Sequence, residues 1–468
     1  MKGASNLSIW TGKIGRDLDE KIRNFSSSIS SDERIYKEDI DGSIAHINML
    51  GQCDIIPKKE VDLIVRELNI IKSDIESGYL KIDEYFENIH IFIESELTKR
   101  IGESGHLIRL ARSVNDQSSL SLRLYLKHYI LEADKLLKKV VEAICDKAEA
   151  HVNTIMPGYT HFQRAQPTTF GHHLMAYAEM FLRDISRINE TRRRMDEMPL
   201  GSGALSATPY KINRSIVSTL LGFGRLTNNS IDAVSDRDFC IELASALSLI
   251  MVHLSRLAEE IIIWSSREFN FLQIDDIFAK GSAMMPQKRN PDVPELIRGK
   301  AGRVFGDLNT LLVTMKGLPL SYNADLEENK ESIFDACDIV KTCLELVSPM
   351  INSIEVNVEN MRDAAQKSFV NASDCTDYLV SKGINYMDAY NIVRKIIEYC
   401  LENDMFIDHI PLDVFLSFSD KFEQDVFEAV SLDKCLERRN IEGGPSPLRV
   451  EEQIHRVRSL LKKRHKSY

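Results

Sequence analysis

The sequence predicts an all-α protein built around long, mutually packed helices, and three observations carry that prediction. Four stretches repeat apolar residues at alternating spacings of four and three. They are Leu122, Leu126, Tyr129, Ala133, Leu136, Val140 and Ile144; Leu174, Ala178, Phe181, Ile185 and Ile188; Leu243, Leu247, Ile250, Leu254, Leu257 and Ile261; and Ala301, Val304, Leu308 and Leu311. A period near 3.5 puts each set on one helix face, and such faces bury best against one another in a bundle. No run alternates over enough residues to predict a substantial sheet. Connectors bearing Gly and Pro separate the stripes, around residues 156–158, 199–209, 221–230, 281–294 and 317–323.

In chain order, residues 1–110 are mixed. A Ser-rich segment at Ser26–Ser31 precedes Asp39-Ile40-Asp41-Gly42-Ser43-Ile44-Ala45-His46. Amphipathic helices are predicted around Val61–Ser77 and Ile82–Leu97, with a break at Gly102–Gly105. Long helices begin near residue 118. Leu243–Ile262 is apolar well beyond one stripe, which predicts a helix covered on several sides and hence association with other subunits. After about residue 360 the helices shorten, and Gly443-Gly444-Pro445-Ser446-Pro447 marks a late loop. Three domains are expected: a mostly helical 1–111, a helical-bundle 112–361 and a small helical 362–468.

At 468 residues the chain exceeds a single ordinary core. A net charge of -11 argues against nucleic acid as a partner, so an anionic substrate has to meet a local cationic pocket. The Arg192–Arg194 and Lys462–Arg464 clusters read as solvated helix faces. The N-terminus MKGASNLSIWTGKI has no apolar signal core. Leu243–Trp264 carries His253, Arg256, Glu259 and Glu260, which argues against a membrane span. Eight cysteines are scattered with no C-x-x-C pair and read as reduced thiols. A cytoplasmic protein is the expectation.

Chemistry-bearing groups gather in the connectors, where rigid elements can position them. Gly281–Glu295 reads GSAMMPQKRNPDVPE, a loop feeding a helix start. It carries Ser282, Lys288 and Asn290, with Asp292 and Glu295 patterned as an N-cap and its capping-box partner. A helix N-terminus favours anions, and Lys288 adds a full charge. The other segments are Arg112-Ser113-Val114-Asn115-Asp116-Gln117, Thr160-His161 within 157–167, and Tyr322–Lys330. Taken singly, each has an ordinary alternative. His161 fits a capped, hydrogen-bonded histidine as well as a catalytic one; Ser113 and Asn115 fit helix capping; Tyr322 and Lys330 fit a solvated helix end. No G-x-G-x-x-G or Walker pattern appears, and no His/Asp/Glu spacing fits a metal helix or calcium loop. His172 and His173 are adjacent, so on a helix they point apart. His46, His90 and His253 read as structural.

Taken together, the segments resemble the argininosuccinate lyase branch of the fumarase/aspartase superfamily. The resemblance runs through Ile9-Trp10-Thr11-Gly12, Gly42–His46, PGYTHFQRAQPTTFGHH (157–173), PLGSGALSAT (199–208), DAVSDRDF (232–239), GSAMMPQKRNPD (281–292), LPLSYNADLEENKE (318–331) and ASDCTDYLVSKG (372–383). It implies three α-helical domains around a central five-helix bundle. It also implies a homotetramer with a twenty-helix core and active sites shared by three subunits. The implied reaction is a β-elimination that releases fumarate, with no cofactor and no metal. By resemblance Ser282 is the catalytic serine, and His161, oriented by Glu295, is the paired acid. Thr160, Ser113, Asn115, Lys288 and Asn290 would bind the succinyl carboxylates. Ser43, Tyr322 and Lys330 would hold the amino-acid end, and Glu327 stands where the family has a substrate-binding glutamine.

The chain departs from the family at several positions. Val114 replaces an arginine beside Asn115, removing a guanidinium that no neutral side chain imitates. Glu327 exchanges a donating amide for an acceptor-only carboxylate. Ala324, Asn329, Asn88 and Ala283 replace a lysine, two aspartates and a serine. These changes favour a less anionic or more cationic leaving group. The readings are therefore cleavage of argininosuccinate, the same elimination on another N-substituted aspartate, or a catalytically silent structural homologue. Intact Ser282, His161, Lys288, Asn290 and Glu295 argue against the last.

Overall fold

The computed structural model describes residues 20–464, so the Ile9–Gly12 motif lies outside the described residues. After the short helices Glu20–Ser26 and Ile29–Asp32 come α1 (Tyr36–Gln52), α2 (Lys58–Glu76) and α3 (Ile89–Ile101). Five long ones follow: α4 (Val114–Ala150), α5 (Phe170–Met195), α6 (Asp238–Trp264), α7 (Asp292–Met315) and α8 (Glu328–Ser353). The all-α class predicted from the apolar periodicity holds. Strand is confined to two-stranded pieces, of which the hairpin β1 (Ile155–Thr160) and β2 (Gln163–Thr169) is the largest.

The chain divides into two compact units, and every division point falls inside one of the five long helices. The first unit holds the described chain up to Glu132 with Ile188–Ser245 and Phe305–Cys337. The second holds Ala133–Arg187, Ala246–Val304 and the chain from Asp338 on.

In the first unit α1 packs on α2 and α3. Ile40, Ile47 and Leu50 of α1, Ile64, Leu68 and Ile71 of α2, and Phe92 and Leu97 of α3 are all at most 1 % exposed. Burial of each contributes on the order of 1.5–3 kcal/mol. The α1–α2 approach requires glycine at position 51, since a Cβ there would lie 2.5 Å from Val61 Cγ2. The Tyr129 hydroxyl of α4 donates to the Cys337 carbonyl of α8 at 3.0 Å.

The second unit repeats that pairing further along the same two helices, where Ser348 Oγ donates to the Lys139 carbonyl at 3.4 Å. His253 of α6 meets the buried Asp184 of α5 at 2.6 Å. A separate apolar core, including Cys375, Leu379, Val393, Ile396, Phe415, Phe422 and Val426, holds the shorter C-terminal helices.

Several local expectations shift. In α4 the stripe runs through the buried Leu137, whereas Leu136 is half-buried. The helix expected from Ile82 starts at Ile89. Asp83 Oδ1 first accepts the Tyr85 N–H at 2.9 Å, closing a turn, and extended Asn88 then caps α3 by accepting the Ile91 N–H at 3.0 Å. Gly102 does end that helix, with φ of 66°, but the chain continues as a tight 3₁₀ helix to Arg109. Met156–Gly158, expected as a connector, is strand. Asp292 is the first helical residue of α7 and not its N-cap; the Pro291 carbonyl takes the Glu295 N–H at 3.1 Å. His172 and His173 line one cavity even though they are adjacent. All eight cysteines are free thiols, and seven are buried.

Candidate active site

The first unit gathers Ser43, Ser113, Asn115, Tyr322, Glu327 and Lys330. Ser43 is fully buried on α1, and its Oγ accepts from Arg112 Nη1 at 2.8 Å. Ala111, at φ 59°, turns the chain into α4. There Ser113 Oγ accepts the Asn115 N–H at 3.3 Å, and Asn115 Nδ2 donates to the Ala204 carbonyl at 3.1 Å.

Asp116 fixes this corner. Its Oδ1 accepts the Ser113 N–H at 3.0 Å, and its Oδ2 accepts the Gly201 and Gly203 N–H groups at 2.9 and 2.8 Å. Burial pushes its carboxyl up to about 6, against the opposing pull of those three N–H groups. Gly203 has φ of 62°, and a Cβ there would lie 2.5 Å from the Ala207 carbonyl oxygen, so only glycine presents its N–H at this point.

In the same unit, Tyr322 donates its hydroxyl to Glu327 Oε1. Lys330 Nζ donates to Glu327 Oε2 at 2.6 Å and to Asp32 Oδ1 at 2.5 Å. Burial works against the Lys330 ammonium, but the charges of Asp32 and Glu327 outweigh it and raise its pKa. Asp32 is fully buried and accepts the Ser28 hydroxyl at 2.8 Å. Nothing in the sequence singled out Asp32. Asp116 stood within a quoted segment but carried no assigned role, and only the folded chain shows what each binds.

The second unit holds Thr160, His161, Ser282, Lys288, Asn290 and Glu295. Thr160 pairs with Gln163, which leaves His161 and Phe162 as a two-residue turn with φ of 54° and 61°. Both angles are left-handed, as a type I′ turn demands, and neither residue is glycine. The hairpin tip thus stores strain on the order of 1 kcal/mol or more per residue and holds the exposed imidazole outward. Beside the hairpin lies a cavity of 770 Å³ whose walls include Thr160, Phe162, His173, Tyr177, Glu260 and Trp264.

Ser282 sits in a short ribbon where Lys280–Gly281 pairs with Arg289–Asn290. Its Oγ accepts the Met284 and Met285 N–H groups at 3.3 and 3.0 Å, and its own N–H donates to the Lys288 carbonyl at 3.3 Å. Donors aimed at a hydroxyl oxygen favour its deprotonated form. Lys288 is exposed, and Glu295 is exposed in the first turn of α7. Among the described residues of one chain, no hydrogen bond joins His161 to Ser282 or to Glu295.

Comparison with known proteins matches the chain to a family. The model of a family described as "Lyase" matches residues 12–306, and that of "Argininosuccinate lyase C-terminal" matches residues 369–437. The chain is 49 % identical over 97 % of its length to an argininosuccinate lyase of Pelotomaculum thermopropionicum, covering 99 % of that protein. It is 49 % identical, again over 97 % of its length, to one of Clostridium perfringens, covering 98 %. Among solved structures, an EDDS lyase in complex with formate superposes with a TM-score of 0.83 at 28 % identity, over 96 % of this chain and 91 % of that one. The 3-carboxy-cis,cis-muconate lactonizing enzyme of Pseudomonas putida, at 19 % identity and a TM-score of 0.74 over 94 % of this chain and 97 % of that one, shares the fold. The chain belongs to the argininosuccinate lyase family of the fumarase/aspartase superfamily.

Proposed function

We infer that this chain cleaves N-(L-arginino)succinate by β-elimination, releasing fumarate and L-arginine. The observation that carries the reading is the 49 % identity to argininosuccinate lyases over 97 % of the chain. Ser282 Oγ, as an alkoxide favoured by the Met284 and Met285 N–H groups, takes the proton from the carbon beside a succinyl carboxylate. The electron pair moves onto that carboxylate, giving an aci-carboxylate. The pair then returns to form the C=C bond of fumarate as the C–N bond breaks. His161, oriented by Glu295, protonates the departing nitrogen. Lys288, Asn290, Thr160, Ser113 and Asn115 bind the succinyl carboxylates and stabilise the growing charge. Ser43, Tyr322, Glu327 and Lys330 hold the amino-acid end. The substrate carboxylate is the electron sink, so the scheme needs no cofactor and no metal.

The site is assembled between subunits of a homotetramer on this reading. In support, α6 leaves Leu249 and Val252 partly exposed, and α7 leaves Leu296, Phe305 and Leu312 exposed. Contiguous exposed apolar patches mark interaction surfaces. A cytoplasmic protein acting on a small molecule, with neither nucleic acid nor membrane as partner, fits the net charge of -11.

A second substrate reading, the same elimination on another N-substituted aspartate, is favoured by one observation. Lys330 is already neutralised by Asp32 and Glu327, so the cation at the amino-acid end is not free. Fumarate formation, followed by ultraviolet absorbance on argininosuccinate and a panel of N-substituted aspartates, tests both. Ordinary catalytic efficiency on argininosuccinate establishes the first. Preference for another member of the panel establishes the second, and no fumarate from any of them refutes both.

A further inference from the structure

The hairpin that carries His161 is anchored differently at its base and at its tip. At the base, β1 packs on α9 (Val358–Gln366), where Ile155 shares a buried apolar cluster with Ala365, Val370, Leu432 and Leu436. The tip has no such cluster. Residues 160–164 are all exposed, and Phe162 lines two cavities, of 770 and 670 Å³. A turn with two left-handed residues that are not glycine relaxes unless its surroundings over-determine it. Packing does not do so here.

Arg164 does. It faces Tyr159 in the strand register, and its Nη1 gives both hydrogens away from the hairpin. One goes to the Ala364 carbonyl of α9 at 3.0 Å, the other to Ser368 Oγ at 2.8 Å. Ser368 Oγ donates in turn to the same carbonyl. That carbonyl is open to side chains because α9 ends at Gln366 and the Ser368 N–H turns to Ala365, at 3.3 Å. Unpaired carbonyls and the negative end of the helix dipole favour a cation at this point. The neighbouring ammonium of Lys367 is taken by Asp363 at 3.1 Å. Among the described residues, the two bonds of Arg164 are the only hydrogen bonds that tie 160–164 to anything outside the hairpin.

We propose that Arg164 is a positioning residue for His161: its bridge to the C-terminal end of α9 holds the strained tip at the angle from which the imidazole reaches the departing nitrogen. The proposal rests on the lyase reading, in which His161 protonates that nitrogen. Glu295 orients the ring on that reading, whereas Arg164 holds the backbone that carries it. Residues 358–368 thereby act on the proton transfer without touching substrate.

Arg164→Ala should lower kcat for argininosuccinate about thirtyfold with KM within about twofold, since a small misplacement of the acid is felt only in the transition state. Both bonds come from one nitrogen, so Arg164→Lys should recover kcat to within about fivefold of the parent. Ser368→Ala removes one of the two acceptors. It should cost about threefold alone and nothing further in the Arg164→Ala background, because the two residues act through one bridge. Hydrogen exchange gives a readout apart from turnover: the peptide spanning 159–164 should exchange about tenfold faster in Arg164→Ala. Unchanged kcat in Arg164→Ala, a rise in KM alone, additive losses with Ser368→Ala, or lost turnover with unchanged exchange each overturn the proposal. If Arg164→Ala does not fold, Ser368→Ala and Arg164→Lys decide, and unchanged kcat in both overturns it. The exchange arm also separates the proposal from the reading beneath it. Faster exchange at the tip of a chain that turns over no N-substituted aspartate sinks the lyase reading and keeps the brace. Turnover indifferent to Arg164 does the reverse.

Discussion

Asp116 and Ser282 both use side-chain oxygens to collect backbone N–H groups, yet they are built in opposite ways. Asp116 is fully buried and binds N–H groups from residues 85 and 87 positions away, as well as one from its own turn. Ser282 is only half-buried and binds N–H groups two and three residues ahead, within a loop whose neighbours are exposed. One region is held in shape by tertiary structure, the other by its own local turn. Groups of the first kind keep their partners without moving. Groups of the second kind can change partners when substrate or another subunit arrives, and they sit at the low-stability end of the molecule.

The sharpest way to break this contrast is Ser282→Ala. Turnover should fall by about 10³-fold or more, roughly 4 kcal/mol of barrier, as expected for a group that takes part in the bond-breaking step. The thermal midpoint should not move, because the hydroxyl touches only its own turn. A parallel loss of stability would show that the loop is not locally held. Asp116→Asn should do the opposite. An amide cannot accept on both sides, so at least one buried N–H loses its partner, at a cost of about 2–3 kcal/mol in denaturant unfolding. KM should rise with kcat less affected, because Ser113 and Asn115 lose their anchor. Wild-type stability in this variant would remove the distinction between the two regions.

How far each region is legible in the sequence follows the same line. The long helices are, because the residues at 122, 126, 129, 133, 140 and 144 are buried as their spacing requires. The slip in α4, Leu136 for Leu137, reflects an α-helix advancing 3.6 residues per turn and not 3.5, and Leu308 of α7 is likewise only half-buried. The Ser282 loop and the His161 turn are also legible as motifs, since their hydrogen bonds close within a few residues. What a linear reading misses is long-range: Asp32 meets Lys330 across 298 residues, and His90 meets Asp39 across 51. Pairings of that kind leave no periodicity, and a single buried aspartate looks like any other acidic residue until the chain has folded around it.

His46 extends the comparison to pH. It is fully buried in the first unit, with Nε2 donating to the Leu110 carbonyl at 2.8 Å and Nδ1 without a partner. Burial, reinforced by the nearby charge of Arg112, lowers its pKa to about 3 from an ordinary 6.5. The folded value is depressed, so the unfolded chain takes up the proton first as pH falls. The stability His46 confers is therefore present above about pH 6.5 and is lost progressively down to about pH 3. At pH 5 the loss should be about 2 kcal/mol relative to pH 8. His46→Gln, titrated by denaturant unfolding across pH 5–8, should flatten that slope. An unchanged slope would mean that the imidazole is reached by water.

The smallest expected effect tests the hairpin tip. Phe162 holds φ of 61° while 70 % exposed, so its backbone is strained and its ring is little packed. Glycine adopts that angle freely and is the preferred second residue of a type I′ turn. Phe162→Gly should therefore raise the unfolding free energy by about 0.5–1 kcal/mol, less whatever the ring's partial contacts contribute and the added freedom of the unfolded chain. Activity should move the other way, because a relaxed tip holds the imidazole of His161 less firmly. If the strain serves to aim His161, kcat should fall by about two- to fivefold while stability rises. A variant that gains stability with no loss of turnover would show that the turn is strained without function, and that His161 is positioned by whatever meets it on the outside of the chain.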